Sequence, residues 1–364
     1  MGKDELELLF HRYADLPKGS WERLEAMREA VRLADQRRAR SWQLANRYNL
    51  AYELAMYNDL GQVLPLVSEY AALYEETPFA QYRQCYLYLL YLALTQWECL
   101  PQLPLDQRDR MAEQFRSALL KYRLSLRDYH ERLCFQYVRE GRLGEAQAHF
   151  EAAAKLPNAT IHDCSACLQH SLVYYAYLTD DWPEAIRQAR PILDGTLTCD
   201  LHPRNTLFCM LEMALDRGHW GQSRRFAREL EVCLGQGETD FVCPLIRWYA
   251  FSSPASALGL LERRLDKVWA QWDQAQRFYL FRAAWIYCVQ ADKRGGFLTL
   301  RLPEDFPLYR SDGRYAPGEL AMGFYGMALD IGLKFDTRNG SPWHQTLLQR
   351  AREGMERMEG RDPF

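Results

Sequence analysis

The sequence predicts an all-α protein, a solenoid of antiparallel helix pairs stacked one on the next. Three observations lead there. Apolar residues recur with the 3.6-residue period of half-buried helices. One turn punctuation returns at Gly141, Asp180 and Gly218, each followed two residues on by a large apolar side chain, Leu143, Trp182 and Trp220. No alternation of period two persists beyond a few residues, so no strand pattern competes.

The clearest unit runs from Asp128 to Pro157. Leu133, Cys134 and Tyr137 line one face of a first helix, and Gly141 permits a tight turn because it takes positive φ without steric cost. Ala146, Phe150 and Ala153 line the facing stripe of a second helix, which Pro157 stops. Small residues let the two helices approach closely, and the aromatics fill the space between them. In this order of small residue, Tyr, Gly, Ala, aromatic, Ala and Pro, the chain resembles a tetratricopeptide repeat. The resemblance covers residues 40–270 and is most specific over 128–235. It implies a right-handed superhelical solenoid whose first helices line a concave, partner-binding face. Repeat spacings of roughly 34 to 41 residues lie at or above the usual ~34 of that class.

Taken in order, the helix pairs are expected at 3–18 with 20–38, 40–56 with 60–75, 80–97 with 105–124, and 128–140 with 143–156. They continue at 164–179 with 183–194, 203–217 with 220–234, 239–251 with 255–269, and a helix at 272–292. Gly295 to Gly318, rich in Pro, Gly and aromatics, reads as an ordered loop. A last pair at 319–334 and 342–358 would close the array with the polar outer face of a capping repeat. Because each repeat touches only its neighbours, residues 1–364 read as one solenoid: an N-terminal pair at 1–38, repeats at 40–270, and a loop with capping helices at 271–364.

Composition narrows the function. Of 364 residues, 48% are apolar, enough for a large core. Lys and Arg number 45 against 48 Asp and Glu, a net charge of -3, so the chain lacks the basic footprint that nucleic-acid binding needs. The greasiest window, Cys85 to Leu94, is too short for a membrane span and reads as a buried helix. The start carries no signal-peptide pattern, and ten cysteines are too dilute for a disulfide scaffold, so the expected location is the cytoplasm. Cys85, Cys134, Cys209 and Cys288 fall in apolar helical patterns, where a reduced thiol packs as a small hydrophobe.

Catalytic patterns are sparse. His130-Glu131-x-x-Cys134 follows a zincin helix until its last position, which lacks the second His, and reads as helix surface. Gly235-Gln236-Gly237 lacks the rest of a dinucleotide fingerprint and reads as a helix stop. The constellation that stands out is Cys164-x-x-Cys167 followed by Cys199-x-x-His202. Both spacings are knuckles that tetrahedral Zn²⁺ accepts, and the repeat register puts them at neighbouring helix starts. A structural Zn²⁺ on Cys164, Cys167, Cys199 and His202 would staple two repeats together, with His162 and His170 as substitutes for His202. Two other readings stay open: unliganded thiols made reactive by helix N-termini, and a redox pair.

The expected function is a non-catalytic scaffold, an adaptor, regulator or toxin-neutralising type, that holds a protein or peptide partner. Among 22 tyrosines, several cluster on first helices, and most serve packing between repeats. Asn49, Tyr52 and Tyr88 are the expected partner contacts, since rigid amphipathic rings make good anchors. Asn46 lies on the same helix as Asn49. The alternative is an enzyme with its site on the 295–340 loop region, using Asp336, Arg338 and Asn339. In the bland reading of those three, Asn339-Gly340 is a helix C-cap.

Overall fold

The computed structural model describes residues 5–57, 60–157, 161, 164–234, 241–271 and 273–359. Within them 76% of the chain is helical, in 17 α-helices packed as neighbouring pairs, an arrangement compatible with a helical-repeat solenoid. The only sheet among the described residues is a two-stranded antiparallel ribbon, Leu298–Thr299 with Arg314–Tyr315. It ties the ends of the Pro- and Gly-rich loop, as expected of an ordered segment. Where the sequence reads as one array, the contacts divide it into two compact units. The first is Met1–Tyr129 with Gln271–Asp273, and the second is His130–Ala270 with Gln274–Phe364.

The first unit holds α1 (Glu5–Asp15), α2 (Trp21–Gln36), α3 (Arg40–Tyr57), α4 (Val63–Glu76), α5 (Arg83–Gln96) and α6 (Leu105–Lys121). α1 packs on α2, α3 on α4 and α5 on α6, while α2 meets α3, α4 meets α5, and α3 meets α5. The Ser20 side chain accepts from the N–H of Arg23 and so caps α2. The apolar window around residues 85–94 is the buried helix α5, with Leu87, Leu90 and Leu94 in the core.

The second unit takes in α7 (Arg127–Arg139) from His130 onward. It continues with α8 (Leu143–Ala154), α9 (Ser165–Leu178), α10 (Trp182–Leu193), α11 (Arg204–Asp216), α12 (Trp220–Cys233), α13 (Cys243–Ser252) and α14 (Pro254–Trp269). Gly141, Asp180 and Gly218 all adopt left-handed φ, at 71°, 59° and 64°. After each, the next N–H reaches back five residues: Arg142 to Tyr137 O (2.9 Å), Asp181 to Ala176 O (2.8 Å) and His219 to Ala214 O (2.9 Å). That is the Schellman closure, made three times. Three residues beyond each apolar marker, Ala146, Ala185 and Ser223 have no solvent exposure, because the helices cross at these small side chains. First helices also stack on one another, α9 on α11 and α11 on α13, while α10 meets α11 and α12 meets α13.

Three further helices complete the unit: α15 (Gln274–Arg294), α16 (Pro317–Asn339) and α17 (Trp343–Glu359). Here the structure departs from the expected terminal cap. α17 returns to pack on α11 as well as on α15 and α16. It buries Leu347, Leu348, Ala351, Met355 and Met358, an apolar stripe that an outer cap would not need. The segment from Ser341 through α17 visits the three turns in order. Ser341 lies against Gly141, Arg350 pairs with Asp180 at 3.4 Å, and Arg357 lies against Gly218 and donates to Asp216 O at 2.8 Å. Beneath it, the buried Glu212 of α11 accepts from Arg247 of α13 and Arg282 of α15, and Arg247 also donates to Asp216.

Candidate metal centre

Cys164 is the residue before the first turn of α9, and Cys167 lies within that turn. Cys199 follows α10 and stands just ahead of α11, so the stacking of α9 on α11 brings the two helix starts together. The Sγ atoms of Cys164, Cys167 and Cys199 all lie within 4.8 Å of one another, and could hold a metal ion. Cys167 Sγ and Cys199 Sγ are 3.9 Å apart. Two thiolates on one tetrahedral zinc, with Zn–S bonds of ~2.3 Å, stand about 3.8 Å apart. The donor set therefore fits a soft or borderline cation in both chemistry and spacing. A disulfide would need ~2.05 Å.

The electrostatics of the three thiols differ. Cys164 is held below the usual thiol range, first by the backbone N–H of Cys167 and then by that of Ala166, both offered by the open end of α9. Cys167 is pushed up to about 12, chiefly by burial and then by the neighbouring Cys199. One thiolate in the group thus disfavours the next. A cation reverses that balance by replacing the protons.

His202 is placed differently. Cys199 and His202 form an antiparallel bridge, with His202 N–H donating to Cys199 O at 3.1 Å and Cys199 N–H to His202 O at 3.4 Å. Opposed residues in such a bridge carry their side chains on one face. The imidazole nevertheless lies outside the 4.8 Å thiol group. Its ring centroid is 4.4 Å from that of His170, and its Nδ1 is 3.4 Å from Thr206 Oγ1, which also lies 3.1 Å from His170 Nδ1. Burial, with Arg204 adding to it, brings His202 down to about 4. Burial, with His202 adding to it, brings His170 down to about 3. Both rings are therefore neutral at pH 7, the form a metal ligand requires. His162, the other substitute, lies outside the described residues. The hydroxyl of Thr206 had no signal in the sequence, because its role depends on two imidazoles from separate segments.

The expected partner contacts lie in the first unit. The rings of Tyr48, Tyr52 and Tyr88 form a cluster, with centroids 6.2, 6.2 and 6.0 Å apart, and Tyr52 is 40% exposed. Asn49 is not part of that cluster. Its side-chain amide donates to Tyr13 Oη at 2.9 Å, and Tyr13 donates to the buried Asn46 at 3.1 Å, so both asparagines join α1 to α3. In the second unit, His130 Nδ1 lies 3.0 Å from His149 Nδ1, Glu131 accepts from Ser171, and Cys134 is fully buried. Gly235-Gln236-Gly237 lies outside the described residues.

The residues of the alternative site are engaged in the fold. Asp336 accepts from the N–H groups of His344 and Gln345 and contacts His344 Nδ1 at 2.8 Å, which fixes the start of α17. Asn339 donates to Arg139 O at 3.5 Å, and Gly340 is the left-handed C-cap of α16. A cavity of about 550 Å³ lies along the loop, lined in part by Glu262, Asp266, Arg301 and Asp312. A larger one, about 700 Å³, opens beside α17. There Arg217 and Arg350 pair with Asp180, and Arg352 lies over Trp285 and Tyr325.

No family model, curated protein or solved structure matches the chain. No helix among the described residues is long and apolar enough to cross a membrane.

Proposed function

We propose that this protein is a non-catalytic scaffold of tetratricopeptide-like design, a right-handed superhelical solenoid that holds a protein or peptide partner on its first helices. The observation that carries the reading is the cluster of Tyr48, Tyr52 and Tyr88 on α3 and α5. Tyr52 and, one turn on, Met56 stay open to solvent, at 40% and 47%. Tyrosine rings lose little conformational freedom on binding and combine an apolar face with a hydroxyl, which suits a segment presenting apolar side chains. Asn49 serves from beneath by holding α3 to α1, so the contact face rests on Tyr52 and Tyr88.

The scaffold carries a structural Zn²⁺ on Cys164, Cys167 and Cys199, with His202 as fourth ligand. Four protein ligands leave no place for an activated water, so the ion stabilises rather than catalyses. Free thiols at this density suit a reducing cytoplasm.

The test is a pull-down from native extract that compares wild type with the Tyr52→Ala/Tyr88→Ala double variant. Partners captured by wild type should be lost from the variant at an unchanged melting temperature. Identical captures by the two would remove the reading.

A further inference from the structure

We infer that Thr206 and His170 are positioning residues of the metal centre, set to present Nε2 of His202 to the three thiolates as the fourth ligand. The inference rests on the structural-zinc reading above and deepens it.

The argument is one of proton bookkeeping. Thr206 Oγ1 has one proton, and it sits between two imidazole Nδ1 atoms, at 3.1 Å from His170 and 3.4 Å from His202. A neutral imidazole carries one N–H and one bare nitrogen. Two bare Nδ1 atoms cannot both be satisfied by one hydroxyl proton, so one ring donates to Thr206 and the hydroxyl donates to the other. If His170 donated, His202 would accept at Nδ1 and carry its proton on Nε2, where it cannot bind metal. If His202 donates, Thr206 passes its proton toward His170 Nδ1 and His202 Nε2 is left bare. Either arrangement satisfies the hydroxyl and the two Nδ1 atoms, and the second is the one that leaves a lone pair on His202 for the ion. The bridge sets His202 opposite Cys199 on one face of the turn, outside the 4.8 Å thiol group, so the ring reaches the ion by closing that remaining distance. Thr206 is fully buried on the first turn of α11, so water does not compete for its hydroxyl. A metal-bound histidine whose other nitrogen is held in this way is fixed in tautomer and orientation.

The experiment is zinc titration of the full chain against a chromophoric chelator, with X-ray absorption of the loaded protein and long-range ¹H–¹⁵N NMR of its imidazoles. Wild type should bind one zinc through three sulfurs and one imidazole nitrogen, with His202 protonated at Nδ1. His202→Ala should lose the imidazole contribution. Thr206→Val should weaken zinc binding about 10- to 100-fold, while Thr206→Ser, which keeps the hydroxyl, should stay close to wild type. A purely structural threonine would instead shift the melting of metal-free protein and leave the titration alone. An oxygen as fourth ligand in wild type, an imidazole that persists in His202→Ala, or wild-type zinc affinity in Thr206→Val would each overturn the inference and leave the zinc itself standing. Absence of stoichiometric zinc from wild type would remove the zinc reading, and this inference with it.

Discussion

Left-handed backbone at single residues is what makes the helix pairs turn. Gly141 and Gly218 take that conformation at no steric cost, whereas Asp180 does so with a side chain. Asp180 is held by Arg217, which donates to both its carbonyl and its carboxylate, so the strain there is offset by contacts. A second residue-scale property is pH dependence. His149 sits against His130 and Tyr137, and burial, with the nearby His130 and Arg142, lowers it to about 4 from an ordinary 6.5. A histidine with a depressed folded value gains its proton more readily when unfolded. Its contribution is therefore complete above about pH 6.5 and is lost as pH falls toward 4. Thermal melts between pH 7.5 and 4.5 should show this loss, and His149→Gln should make the decline shallower. An unchanged pH profile in that variant would place the acid sensitivity elsewhere.

At the scale of elements, α17 is the helix whose role exceeds its appearance as a terminal cap. Gly354 allows it to lie directly on α11: a Cβ there would meet Leu215 O and stand 2.7 Å from Asp216 Cα, both of them backbone atoms that cannot step aside. Gly354→Ala should therefore destabilise by about 1–3 kcal/mol, the usual range for overpacking a tight contact. Chemical denaturation of the two proteins gives the number, and equal midpoints would mean that α17 is held less closely. The same helix buries four Leu and Met side chains, each worth ~1.5–3 kcal/mol when fully removed from water. Set against a typical domain stability of ~5–15 kcal/mol, that burial makes α17 part of the fold rather than a detachable strap.

For the molecule as a whole, the three thiols bring the start of α9 together with the segment before α11. If they bind zinc as proposed, chelation should raise hydrogen exchange first in 164–234, since stability in stacked repeats is a sum over neighbouring interfaces. Thiolate ligation also requires proton release, so metal affinity should fall as pH drops. Exchange that rises uniformly along the chain on chelation, or not at all, would separate the metal from the stability of this region.

The sequence by itself determined what is local. The turns at Gly141, Asp180 and Gly218, the packing position Ala146, and helix ends mostly within about two residues were legible. They depend on 3.6-residue periodicity and on turn chemistry within a few neighbouring residues. The thiol group was legible too, because repeat register converts a sequence interval into a spatial neighbour. Only the tertiary structure decided the rest: the return of α17 to α11, the use of Asn49 by Tyr13, the burial of Glu212 with Arg247 and Arg282, and the Thr206 hydroxyl between two imidazoles. Each joins residues far apart in the chain, and such contacts are selected by burial and partner geometry, which leave no periodic mark on either segment.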